Sequence, residues 1–237
     1  MFSPCRIHFM DNNFLETGVD MNRRRLYFGV CTDPTLEDIG EVTTRSIEHC
    51  LRALHILLID DRYKPIELYM SSGGGDPYAM LRLVDEILSC PCPIKFFGGG
   101  IIQSSATWIM CVCDERYLFP NTTVMVHDGT ESIKGTHTDT KIELAEAVRL
   151  QDKLYDIYAS NSKMPKSFWQ EVCQRDLYLS AEEACQLGLA DKIIEPIDRT
   201  AFRKNRLTHL ATPIATQEKD ELVNRLLFRI SRCNSRP

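Results

Sequence analysis

The sequence predicts an α/β fold of alternating strands and helices. Short apolar runs of strand length recur along the chain. Between them, apolar residues fall at three- and four-residue spacing, and two triple-glycine segments each join a strand to a helix. With 237 residues, 43% of them hydrophobic and 26% charged, the chain buries roughly 70% of its unfolded surface on folding. That composition excludes disordered, collagenous and coiled-coil classes.

Residues 1–24 are polar and aperiodic and read as a flexible arm, closed by the arginine triplet at 23–25. LYFGV (26–30) follows as a strand. Asp33 and Pro34 are expected to open the next helix, because an aspartate caps free N–H groups and proline lacks one to satisfy. Ile47, Cys50, Leu51, Leu54, Leu57 and Leu58 give that helix one buried face. IELYM (66–70) is a strand leading through SSGGGDP into a helix carrying Met80, Leu83, Val84, Ile87 and Leu88. IKFF (94–97) is a strand running into Gly98, Gly99 and Gly100, with an apolar helix over 105–112. YLF (117–119) and TVMVH (123–127) are strands separated by the turn pair Pro120-Asn121.

After a polar loop, residues 138–161 form the longest helix, striped by Ala147, Leu150, Leu154 and Ile157 and ended by Met164-Pro165. A short helix over 166–173 follows. Ser180 and Glu183 then make a capping box that starts a small helix, with a turn at Gly188 and a final strand.

Charge divides the chain. The net charge is -5, yet residues 198–237 hold nine Lys/Arg against four Asp/Glu and read as a basic extension with one amphipathic helix, Glu221 to Ile230. An acidic main body gives no electrostatic case for nucleic acid or an anionic membrane. No run approaches the eighteen or so apolar residues of a membrane span, and the first ten residues lack a secretory apolar stretch, so a cytoplasmic protein is expected. The ten cysteines include no C-x-x-C pair and no accompanying histidine pair at zinc spacing. They read as buried thiols, and the chain as free of metal and cofactor.

The residues suited to chemistry sit at the strand ends. The segments Gly73-Gly74-Gly75 and Gly98-Gly99-Gly100 place backbone N–H groups at strand-to-helix turns, which suits an anion or oxyanion as well as a merely tight turn. Neither has a nucleotide-binding pattern. Ser104 lies four residues after Gly100, at the start of the apolar helix. A serine becomes a nucleophile only beside a base. Of the six histidines, His127 alone ends a buried strand. An acid to orient the imidazole could be Asp128, Asp139, Asp152, Asp176 or Asp191, and spacing does not choose among them.

The ordered blocks MSSGGG, GIIQSSA, FPNTTVMVHDG and RDLYLSAEEACQLGLADKI resemble the Clp protease proteolytic subunit family over about residues 23–197. Matched residue by residue, the resemblance implies Ser104 as nucleophile, His127 as general base and Asp176 as the orienting acid. It implies backbone N–H groups of Gly74 and Ser105 at the oxyanion. The implied fold is a Clp protease- and crotonase-like spiral of strand–helix units, here over residues 25–197. A protruding handle of strand plus long helix is expected at about 128–161.

The resemblance also implies heptameric rings, of one chain or mixed with paralogues, stacked into a fourteen-subunit barrel. Residues 1–24 would form an axial arm, and an ATP-driven AAA+ unfoldase would feed unfolded polypeptides to the barrel. No metal or cofactor is implied. The setting would be the cytoplasm, an organellar stroma or matrix, or a phage-infected cell. The sequence departs from the family pattern at Ser72, which stands for a usual proline in the first glycine segment, and at Ile101, Ile102 and Gln103 before the nucleophile. Beyond it, Ser105 stands for a usual hydrophobic residue and Ala106 for a usual glycine. Two alternatives are a catalytically silent ring-building relative and a crotonase-type acyl-CoA enzyme.

Overall fold

A computed structural model describes residues 18–28, 40–129 and 132–199. Parallel strands alternate with helices through most of this region, as the two apolar periodicities require. The first hairpin joins β1 (Val19–Asp20) antiparallel to β2 (Arg25–Phe28). Then come β3 (Glu41–Val42), α1 (Thr44–Asp60), β4 (Ile66–Ser72), β5 (Gly74–Gly75) and α2 (Pro77–Leu88). β6 (Ile94–Gln103), α3 (Ala106–Val112), β7 (Glu115–Leu118) and β8 (Thr123–Val126) bring the chain to the long helix α4 (His137–Ser160). α5 (Lys166–Val172), β9 (Leu177–Ser180), α6 (Ala181–Leu187) and β10 (Lys192–Ile193) complete the described elements.

β2, β4, β6, β7 and β10 run in parallel in that spatial order. Their register stacks Tyr27 on Tyr69, Tyr69 on Phe97 and Phe97 on Tyr117, with ring centroids 5.1, 4.6 and 5.1 Å apart. Offset stacking of this kind adds to what ring burial alone contributes. The opposite face builds the core, where Leu57, Ile66, Phe96, Ile109 and Leu118 are wholly buried.

β6 changes neighbours along its length. Lys95 to Gly98 pair with β7, whereas Ile101 to Gln103 pair with β8. The change falls at Gly99 and Gly100, and Gly100 takes φ +68°, a conformation that side chains disfavour. The strand expected over 94–97 therefore continues through the glycines to Gln103. Neighbouring strands on both sides supply its hydrogen bonds, and that pairing overrides the low strand preference of glycine.

Other boundaries also differ from the sequence reading. Helix α1 starts at Thr44, capped by a Thr43–Ser46 capping box; Asp33 and Pro34 lie outside the described residues. The expected arm is structured over 18–24. Val19 and Asp20 pair with β2, and the Arg24 side chain is 2% exposed. Its guanidinium donates to the carbonyls of Leu57, Asp61, Lys64 and Pro65 and to the Asp60 carboxylate, so it ties the C-terminal end of α1 to β2. Favourable charge at a helix carbonyl end reinforces that tie.

Among the described residues of 128–136 no strand forms, because that exposed segment has no neighbouring strand in the same chain to pair with. The long helix of the expected handle is present. The capping box at Ser180 and Glu183 starts α6 and the left-handed Gly188 turn ends it, as the sequence suggests. The chain divides after Glu195. The helix expected over 221–230 lies outside the described residues. Among the described helices, none is long and apolar enough to cross a membrane.

Candidate active site

Ser104 follows the last residue of β6 and precedes α3. It adopts φ +52°, a left-handed conformation that a side chain takes only when its surroundings hold it there. The Ser104 N–H donates to Met125 O at 2.8 Å, extending the β6–β8 ladder by one bond. Its carbonyl accepts from Thr107 N at 3.0 Å and from Thr107 Oγ1 at 2.7 Å. Having given its proton to Ser104, the Thr107 hydroxyl accepts the Tyr158 O–H at 2.5 Å. Burial holds the Tyr158 phenol well above its ordinary pKa, so it stays a donor.

His127 sits one residue beyond β8, and its Nε2 lies 2.8 Å from Ser104 Oγ. Asp176 sits one residue before β9, with Oδ1 3.2 Å from His127 Nδ1. The antiparallel register of β8 and β9 pairs Val126 with Leu177. One step further along that register sets residue 127 opposite residue 176. A carboxylate facing Nδ1 favours the tautomer with its proton there, which leaves Nε2 to accept from the serine hydroxyl. The imidazole is 18% exposed and the Asp176 side chain 55% exposed, so the carboxylate faces solvent and the ring is mostly enclosed.

Each of the other four aspartates has a different partner. Asp139 caps α4 through Thr136, with Oδ2 2.6 Å from Thr136 Oγ1. Asp152 meets Lys166 at 2.8 Å, and Asp191 meets Arg116 at 2.6 Å. Asp128 accepts the Tyr155 O–H. Of the five, Asp176 is the one beside the imidazole. A polar hollow of about 530 Å³ walled by Asp114, Arg116, Ser162 and Lys163 includes none of Ser104, His127 and Asp176.

The glycine strap packs directly on the serine turn. Gly74 has φ +93°, and a Cβ there would lie 2.7 Å from Ser104 Cβ and 3.1 Å from Ser105 N. Glycine is needed at this position both for its dihedral and for the closeness of approach. The Gly74 N–H, expected from the family match to face an oxyanion, donates at 3.1 Å to the buried Ser72 Oγ, which in turn donates to Gly40 O. The next amide, Gly75 N–H, donates to Ser105 Oγ at 3.0 Å, and Ser105 Oγ returns its proton to Gly75 O at 3.2 Å.

Sequence reasoning missed these two hydroxyl clamps, as well as Thr107–Tyr158 and Asp128–Tyr155. The departures of Ser72 from a usual proline and of Ser105 from a hydrophobic pattern are the residue-level signals that pointed to the two clamps. The cysteines near the site are inert: burial pushes the thiols of Cys111 and Cys173 up to about 12, far above the range of a reactive thiolate.

A serine on a strained strand-to-helix turn, a strand-end histidine in hydrogen-bond contact with it and a carboxylate behind the ring define an α/β chain arranged as serine hydrolases are. The chain belongs to the Clp protease family, whose profile matches residues 33–197. It is similar to an ATP-dependent Clp protease proteolytic subunit of Deinococcus radiodurans, 28% identical over 144 residues, which cover 59% of this chain and 71% of that one. A proteolytic subunit 1 of Rhodopirellula baltica is 29% identical over 157 residues, covering 65% and 69%. A proteolytic subunit 2 of Treponema denticola is 28% identical over 156 residues, covering 65% and 78%.

Proposed function

We propose that this chain is a serine endopeptidase in which Ser104 is the nucleophile, His127 the general base and Asp176 the residue that orients it. The 2.8 Å approach of His127 Nε2 to Ser104 Oγ carries this reading. Ser104 Oγ forms a bond to the scissile carbonyl carbon as its proton passes to His127 Nε2. The imidazolium, held by Asp176, gives that proton to the departing amine as the C–N bond breaks. Water then attacks the acyl-serine by the reverse use of the same base and releases the carboxylic acid.

The oxyanion is received by the Ser105 N–H and by the glycine strap. Gly74 N–H serves it by leaving Ser72 Oγ, an exchange of one hydrogen bond for another, while Gly75 N–H is the neighbouring strap amide on the Ser105 side. Each such donor is typically worth about 2.7–4 kcal/mol in the transition state.

We further propose that the subunits assemble into stacked heptameric rings, fourteen in all, enclosing the sites, and that an AAA+ unfoldase supplies unfolded polypeptide. Family membership supports both. Enclosure suits a peptidase of broad specificity, because folded proteins are kept from it.

The test combines particle size, labelling of Ser104 by a fluorophosphonate, and cleavage of fluorogenic peptides. The wild type should label and cleave, and Ser104→Ala should lose both with its assembly unchanged. A wild type that forms the full assembly but neither labels nor cleaves would instead establish a silent ring subunit.

A further inference from the structure

Asp128 lies beside His127 in the chain and takes no part in the chemistry above. Its carboxylate accepts the O–H of Tyr155, which projects from the long helix α4 and is buried, with 6% exposed. Burial, then the bond to Asp128, raises the Tyr155 phenol above its ordinary pKa, so it remains a donor throughout the working pH range. The Asp128 backbone N–H donates at 2.8 Å to Cys173 O. Cys173 is fully buried at the end of α5, three residues before Asp176. One residue is thus tied to the helix on one side and to the segment bearing the acid on the other.

Strand β8 ends at Val126, so His127 is already past the β8–β9 ladder and its backbone is held by no described pairing of strands beyond that point. The fixed points nearest to it are Val126 on one side and Asp128 on the other. Val126 is wholly buried; Asp128 is held by Tyr155 and Cys173. An imidazole must keep one nitrogen on a hydroxyl and the other on a carboxylate. Small displacements of such a ring lower rate steeply, since proton transfer depends on heavy-atom distance.

We propose that the Tyr155 hydroxyl and the Asp128 carboxylate are positioning residues that lock the chain after β8, holding His127 in line between Ser104 and Asp176. This rests on the reading of those three residues as a catalytic set. Neither Asp128 nor Tyr155 touches the reacting atoms; their bond sets where the imidazole stands.

Three variants test the inference. Tyr155→Phe removes only the hydroxyl, Asp128→Ala removes the acceptor, and Asp128→Asn keeps an oxygen that accepts the same bond. Readouts are particle size, the rate of Ser104 labelling by a fluorophosphonate, and kcat and KM on one fluorogenic peptide. Tyr155→Phe and Asp128→Ala should lower labelling rate and kcat about tenfold, with KM within about twofold, and Asp128→Asn should recover most of the loss.

Wild-type labelling rate and kcat in both Tyr155→Phe and Asp128→Ala, with assembly intact, would overturn the proposal, as would an Asp128→Asn no better than Asp128→Ala. If Tyr155→Phe fails to assemble, the comparison of Asp128→Ala with Asp128→Asn decides alone. Absence of labelling in the assembled wild type would defeat the catalytic reading itself, a result distinct from equal labelling of wild type and variants.

Discussion

His127 and Asp176 face each other because Val126 and Leu177 are paired in the antiparallel ladder of β8 and β9. Forty-nine positions apart in sequence, the two side chains meet one step beyond the last paired residues. The imidazole and the carboxylate are placed by strand register, so a slip of one residue would turn the pair to opposite faces.

Substituting Gly74→Ala should cut peptide hydrolysis at least about a hundredfold. Its Cβ would stand 2.7 Å from Ser104 Cβ at a φ of +93°, so the strap or Ser104 must move. Labelling of Ser104 by a fluorophosphonate should slow in parallel, while particle size stays as in the wild type.

Ser105→Ala leaves both the N–H and the C=O of Gly75 without the hydroxyl that joins them to the Ser104 turn. The site is buried, with Ser105 3% exposed, and losing the partner of a buried polar group costs about 1–3 kcal/mol. Chemical denaturation of the variant should register a loss of that size. Ser105→Thr, which keeps a hydroxyl, should recover part of it.

Arg24→Lys should destabilise the fold by about 3 kcal/mol or more, because one ammonium cannot reach four carbonyls and a carboxylate at once. A thermal scan of the variant beside the wild type measures this, and an unchanged midpoint would contradict it. The larger effect should fall on the contact between α1 and β2, visible as faster amide exchange at the C-terminal end of α1.

At Asp191 burial alone would raise the carboxyl pKa, but the Arg116 guanidinium and backbone N–H more than offset it and hold it below its ordinary 3.8. A depressed carboxyl stabilises the folded state above its unfolded pKa, and that contribution disappears as pH falls through the folded value. The wild type should therefore lose stability below about pH 4, and Asp191→Asn should flatten that part of the curve. Denaturation midpoints of both proteins between pH 2.5 and 6 give the comparison.

Much of this was legible in the residues. Apolar spacing located the buried face of α1, the strands at Ile66 and Thr123 and the long helix, because one-sided burial imposes a period that sequence displays. Ser104 and His127 could be singled out by their places at strand ends. Asp176 could not be chosen from four rivals without the resemblance, since what distinguishes it is a long-range register. Arg24 was misread for a related reason: a charged triplet looks solvated until the carbonyls of Leu57, Asp61, Lys64 and Pro65, some forty residues on, converge around it. The length of β6 was hidden as well, because its glycines owe their extended form to partners on both flanks.

The forked strand β6 has a consequence for control. Gln103 is paired with Met125, and the Ser104 amide is bonded to the Met125 carbonyl two residues before the imidazole. The hydroxyl's backbone is thus anchored in the shared ladder, whereas the ring stands one residue beyond it. Loosening of the sheet there would carry the hydroxyl away from the ring, and amide protons at Ser104 and Val126 would report it before any product is counted.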